Sequence, residues 1–169
     1  MTTGKENQVT KQCGEYLVAA ELLRRGYINT TFTGNMPNFD IVAINKRGKL
    51  KRIQVKTTTR YTFRLNLQKY ANVVFKGKKQ KLVSRAKLND PKIINIFVKL
   101  GDQNPKSKWR KDEFYLLTDL KTRNLNYNRY NSFLRRHKGI RPRNPKSIYN
   151  TLSTDDLAPY QDNWTILEN

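Results

Sequence analysis

The chain has 169 residues, with 34 Lys and Arg against 13 Asp and Glu, which gives a formal net charge of +21 near neutral pH. That length fits one domain, and 42 Leu, Ile, Val and Phe residues suffice for a core, so a disordered polyelectrolyte is excluded. One cysteine (Cys13) and one histidine (His137) exclude an internal disulfide and a zinc cluster of soft ligands, and no apolar run nears the ~18 residues of a spanning helix. An intracellular protein, cytoplasmic or nucleoid, with no membrane partner is expected.

Charge of this size repels itself, and a polyanion that releases its counterions on binding is the natural partner. The distribution says more than the total. Between Arg24 and Asn89 stand seventeen bases and a single acid, Asp40, while residues 120–154 hold nine bases and no acid. A lone carboxylate in such a stretch is either a salt-bridge partner or a group kept for its own chemistry.

Residues 11–25 predict a helix, because Cys13, Tyr16, Leu17, Ala20 and Leu23 follow 3.6-residue spacing and Gly26 stands where a C-terminal cap belongs. Glu21 has Arg24 and Arg25 at ion-pair spacing, and Cys13 reads as a core thiol. A polar loop with Gly34 and Pro37 follows Tyr27 and Ile28. Phe39 to Ile44 then predicts a strand, Lys46-Arg47-Gly48 a turn, and Leu50 to Thr57 the second strand of a hairpin. Residues 61–67 alternate as a half-buried strand, Val73 to Phe75 is a short strand, and the basic run 76–81 reads as a loop. Further strands are expected at Ile93 to Leu100 and Glu113 to Leu117, separated by a polar loop at 101–111. A helix over 120–138 ends at Gly139, with Tyr127, Tyr130, Phe133 and Leu134 towards the core and His137 on the surface or facing phosphate. Pro142 and Pro145 keep 141–146 from being helical throughout, and Thr154 or Asp155 caps a last turn before Trp164. With no repeat or linker, the expectation is one domain over 1–169 of α/β (α+β) class, with a basic C-terminal helix and extension at 120–169.

Three features line up: Glu15 on the first helix, Asp40 at the head of a strand, and Gln54-Val55-Lys56 on the next. In a strand Gln54 and Lys56 share one face while Ile53 and Val55 take the other. If the turn has three residues, with Gly48 left-handed, Asp40 falls opposite Gln54 and the polar groups cluster. A register one residue different sets Asp40 opposite Val55 and disperses them. Hydrolysis of a phosphodiester calls for an oxygen-held divalent cation and a positive charge near the nucleophile. Asp40, Gln54, the Val55 carbonyl and Glu15 offer the oxygens, and Lys56 the charge.

The segments GEYLVAAELLRRGY (Gly14–Tyr27), PNFDIVAIN (Pro37–Asn45) and IQVKT (Ile53–Thr57) resemble the PD-(D/E)XK nuclease superfamily, in its resolvase and group I intron homing-endonuclease branches. The resemblance implies a restriction-endonuclease-like core, a mixed sheet flanked by helices. It assigns Glu15 as the helix acid, Asp40 as the metal-binding aspartate, Gln54 at the position of the second acid and Lys56 as the lysine. Gln54 stands where most members have a carboxylate, and Pro37 lies three residues before Asp40 instead of beside it. Implied with it are Mg²⁺, with Mn²⁺ as substitute, double-stranded DNA as partner, a homodimer or homotetramer, and site-specific double-strand cleavage of homing or restriction type. A Holliday-junction resolvase and a non-cleaving DNA binder are the alternatives. Backbone contacts are expected from Arg60, Arg64, Lys76, Lys78, Lys79, Arg135, Arg136, Arg141 and Arg143.

Overall fold

A computed structural model describes residues 4–32, 38–88, 90–101 and 111–168. Gly34, Pro37 and most of the 101–111 loop lie outside the described residues. In chain order the elements are α1 (Gly4–Arg24), β1 (Ile28–Thr31), β2 (Ile41–Ile44), β3 (Leu50–Thr58), β4 (Thr62–Asn66), β5 (Ala71–Lys76), β6 (Lys79–Arg85), β7 (Ile93–Lys99), β8 (Glu113–Thr118), α2 (Asp119–Arg136), β9 (Tyr149–Ser153) and α3 (Thr154–Leu157), with short 3-10 turns at 67–69, 158–160 and 164–167. This is the expected α+β class, and the sheet that carries β3 is mixed. No helix among the described residues is long and apolar enough to cross a membrane.

The chain forms two compact units. The first takes residues 1–63, 92–118 and 153–169, and its sheet runs in the order β1-β2-β3-β7-β8. The β1, β2 and β3 strands are antiparallel neighbours, β3 and β7 are parallel, and β8 returns antiparallel to β7. Val18 and Leu22 of α1 pack on Ile41, Ala43, Ile53, Val55, Ile94, Ile96, Val98 and Leu116, and Trp164 and Leu167 close the same core. Alternation along β3 and β7 turns Gln54 and Lys56, then Asn95 and Phe97, to the face away from that core.

Helix α1 begins seven residues before the expected start, because its first two turns are exposed and carry no apolar face to announce them. Its end follows expectation. Gly26, with φ of 81°, takes the left-handed conformation, Tyr27 N–H donates to the Leu22 carbonyl at 3.0 Å and Gly26 N–H to that of Leu23 at 2.9 Å. The residues after Tyr27, expected as loop, include the edge strand β1, whose Ile28-Asn29-Thr30-Thr31 shows no alternation of apolar side chains. Cys13 is half-buried and not a core thiol.

The second unit takes residues 64–91 and 119–152. Its basic run at 76–81 is not a loop but the tip and return of the β5–β6 hairpin, turned by Gly77 with φ of 59°. The signal was hidden because the inward residue of the return strand is Gln80, 3 % exposed, between lysines. Gln80 replaces a hydrophobic anchor with hydrogen bonds: its Oε1 accepts from Tyr130 Oη at 2.6 Å, and its Nε2 donates to the carbonyls of Pro145 and Ser147. Tyr130 and Leu134 are buried with Leu67 and Ala71, and Tyr127 and Phe133 pack against them, as the spacing predicted. His137 is exposed. At α3 the cap is Ser153, in a reciprocal capping box with Asp156, one residue before the expected Thr154.

At Gly14 α1 lies close against the sheet, and an added Cβ would stand 1.9 Å from Thr57 Oγ1. Gly14→Ala should therefore lift the helix and cost on the order of 1–3 kcal/mol. Urea unfolding would show it as a lower midpoint, and Thr57→Ala in the same chain should recover part of the loss.

Candidate functional site

The β2–β3 turn decides the site. Asn45 N–H donates to the Lys49 carbonyl at 3.1 Å and Gly48 N–H to the Asn45 carbonyl at 2.9 Å. Gly48 has φ of 74°, and Asn45 Oδ1 accepts from the N–H groups of Arg47 and Lys49 at 3.0 and 2.9 Å. This is the three-residue turn. It pairs Ile41 with Ile53 as the last pair of the β2–β3 register, and Asp40, expected to carry that register on and face Gln54, instead bonds Ile53 as well. Asp40 N–H donates to the Ile53 carbonyl at 2.8 Å.

From there the Asp40 carboxylate reaches sideways, and its Oδ2 accepts from the N–H of Val55 at 2.8 Å. The N–H and C=O of a strand residue point to the same edge, so the Val55 carbonyl faces the Asp40 side as well. Glu15, 8 % exposed on α1, meets this group from the helix. One residue joins the two acids: the Lys11 ammonium lies 3.3 Å from Glu15 Oε1 and 3.4 Å from Asp40 Oδ1. Burial pushes the Glu15 carboxyl above the ordinary carboxylate range, and the Asp40 charge pushes it further, against smaller opposing effects from Lys11 and then Lys56. Burial works against the Lys11 charge, but the two carboxylates outweigh it and raise its pKa.

Glu15, Asp40, the Val55 backbone and Lys56 thus belong to one electrostatic neighbourhood. Lys11 was not singled out from the sequence, because Lys and Glu four residues apart on a helix are commonplace. The order Lys-then-Glu is the less favourable one along a helix, and the second partner, Asp40, comes from a different element. Glu21 makes the expected pairs, at 3.9 Å to Arg24 and 2.8 Å to Arg25.

The donor set suits a hard divalent cation. It combines two carboxylates and a backbone carbonyl, and Glu15 Oε1 is a buried oxygen with no aligned hydrogen bond. Among the described residues no cluster of three or more His, Cys, Asp or Glu side chains forms. A cleft of about 490 Å³ lined by Arg25, Lys46, Arg47 and Trp164 lies at the turn end of β2, away from Asp40, and takes no part in this cluster.

The expected phosphate-contacting residues divide by environment. Arg60, Lys76, Lys78, Lys79, Arg135, Arg136 and Arg143 are exposed. Arg64 lies over the Tyr149 ring at 4.0 Å, and Arg141 is half-buried, donating to the Tyr149 carbonyl at 2.6 Å and to Tyr130 Oη at 3.2 Å.

No protein-family model and no curated protein matches the chain. Among solved structures it is similar to a bacterial homing endonuclease, I-Ssp6803I, with a TM-score of 0.50 at 12 % identity over 95 % of this chain and 91 % of that one. At that identity the likeness is one of fold, and it extends over both units.

The raised Glu15 pKa has a consequence for stability. The folded chain holds this proton more tightly than the unfolded chain, so Glu15 lowers stability as pH rises from its ordinary 4.5 through the raised folded value, and the loss is complete above that value. Glu15→Gln should unfold at a higher temperature than the parent at pH 8, with the difference shrinking as pH falls towards 4.5. Thermal melts across that range, in metal-free buffer, would check it.

Proposed function

We propose that this chain is a metal-dependent DNA endonuclease that hydrolyses phosphodiester bonds. The observation that carries the reading is the juxtaposition of Glu15 and Asp40, two acids held together in a strongly cationic chain where solvation alone would not bring them. The fold likeness to a homing endonuclease and the pattern of Asp40, Gln54 and Lys56 support it.

Asp40, Glu15, the Gln54 amide oxygen and the Val55 carbonyl would hold Mg²⁺, or Mn²⁺ in its place. When bound, such an ion polarises a phosphate oxygen and makes a water easier to deprotonate. Asp40 is oriented for its part by the Val55 N–H, which leaves Oδ1 facing Lys11. Lys56 would place its ammonium beside the attacking water, where it orients that water and assists its loss of a proton. Lys11 would balance the two acids when they are not neutralised otherwise. The exposed cations of the second unit, at the hairpin tip and the end of α2, would contact backbone phosphates without reading sequence.

Cutting both strands with one site per chain requires two copies related by a two-fold axis, so a homodimer or homotetramer is part of this reading. Site-specific double-strand cleavage is its expected outcome.

Supercoiled plasmid incubated with Mg²⁺ or Mn²⁺ should be nicked or linearised. Asp40→Asn and Lys56→Ala should each lower the cleavage rate by roughly 10²-fold or more while leaving DNA affinity within about twofold. Cleavage that is absent from the parent, or undiminished in both variants, would overturn the reading. For binding, Lys78→Ala combined with Lys79→Ala should make the dependence of log affinity on log salt shallower by about 2, as two phosphate contacts are lost.

A further inference from the structure

Helix α1 carries apolar side chains on two opposite faces, and the fold uses one of them. Gly14, Glu15, Val18 and Leu22 are buried against the sheet. On the far side, about 180° around the helix from Val18, lie Val9, Cys13, Tyr16, Ala20 and Leu23. Their spacing alternates four and three residues, the pattern of a helix that packs on another helix. Val9, Tyr16 and Leu23 are 61, 53 and 58 % exposed, Ala20 is exposed and Cys13 is half-buried, so the chain itself leaves this stripe largely uncovered. Single apolar residues on a surface need no explanation, but five in phase along about 21 Å of helix do.

Charge limits what can cover them. The whole chain carries +21 and repels a second copy of itself, yet Gly4–Arg24 holds three bases, Lys5, Lys11 and Arg24, and three acids, Glu6, Glu15 and Glu21. Two copies can therefore approach along α1 with little repulsion. The stripe is also complementary to its own reverse. Laid antiparallel in the usual layering of such pairs, Val9 meets Ala20 of the second copy and Cys13 meets its Tyr16, a larger side chain against a smaller one in each layer. Glu6 at one end then comes within one residue of the level of Arg24 at the other end of the second copy. Within one chain these two residues are five turns apart on the same side of the helix, about 27 Å, so they can attract each other only across the pair.

We propose that α1 is a self-association surface: the stripe from Val9 to Leu23 packs antiparallel on the same stripe of a second copy, about a two-fold axis that crosses the helix between Cys13 and Tyr16. This deepens the reading above and rests on it in one respect, that cleavage of both strands calls for a second copy. Glu15 and Lys11 lie on the sheet side of α1, so the pairing does not occupy the acid site. A single helix pair is at the low end of specific interface sizes, and the dimer should dissociate on the order of 10 µM.

Sedimentation equilibrium in metal-free buffer without DNA reads this apart from any cleavage. The parent should show a monomer–dimer equilibrium, and Tyr16→Glu should raise its dissociation constant at least about tenfold while the circular dichroism keeps its helical signal. Glu6→Arg and Arg24→Glu should each weaken the dimer by about threefold, and the double variant should return to within about twofold of the parent. Direction is read by thiol oxidation in a Cys13→Ser background. Val9→Cys mixed with Ala20→Cys should give a disulfide-linked heterodimer, and each alone should stay unlinked. A parent that is monomeric at about 100 µM, a dimer indifferent to Tyr16→Glu, or like-with-like links in preference to the mixed one would overturn the proposal. A dimer that behaves as expected in a protein that nicks no plasmid would overturn the nuclease reading and leave this surface standing.

Discussion

The site depends on two carboxylates being held close where water screens them only in part. Glu15 comes from a helix and Asp40 from the end of a strand, and one ammonium, Lys11, bridges both at 3.3 and 3.4 Å. Like charges at this range oppose folding, and the raised Glu15 pKa expresses that opposition. The fold withstands it because the backbone leaves little choice. Gly14 lets α1 settle against Thr57, and the next residue, Glu15, is carried into the Asp40 neighbourhood by helix geometry alone. An arrangement that costs stability and recruits a balancing lysine fits the cation site proposed above.

The second constraint is register. Side chains alternate, so a slip of one residue in the β2–β3 hairpin would turn Gln54 and Lys56 to the α1 side in place of Ile53 and Val55. Three local features prevent it: Gly48 accepts a left-handed φ, the Asn45 side chain accepts two turn N–H groups, and the apolar residues of β2 fit the α1 core in only one phase. The Val55 N–H bond to Asp40 then fixes the carboxylate once the register exists.

Much of this was legible in the sequence. The hairpin and the buried run of β7 carry strong period or composition, whereas the face of α1 read from spacing is the wrong one, since Tyr16, Ala20 and Leu23 are exposed and Gly14, Glu15, Val18 and Leu22 are buried instead. What escaped shares a physical cause: it was held by polar groups. Strand β6 has Gln80 as its fully buried residue, with Leu82 half-buried beside it, β1 is an edge strand of four residues with two threonines, and the first two turns of α1 bury nothing. The role of Lys11 was illegible because it spans two elements, and pairing between elements cannot be read from spacing within one.

The charge itself also divides once the structure is known. Several of the cations that make up +21 are engaged inside the second unit, where they bond backbone carbonyls: Arg141 to Tyr149, Arg129 to Thr151 and Arg123 to Ala86, at 2.6, 3.1 and 3.1 Å. Arg64, Arg85 and Arg141 also lie over tyrosine rings. Arg123, Arg129 and Arg141 are half-buried and tie together a unit with a small apolar cluster, a use their planar donors suit better than lysine, while Arg64 and Arg85 remain exposed. The lysines cluster instead at the β5–β6 tip, exposed and mobile enough in their stems to follow a phosphate backbone. Net charge therefore overstates the grip. The arginines at carbonyls and rings hold the scaffold, and the exposed lysines with the cations at the end of α2 remain as the surface a polyanion would meet.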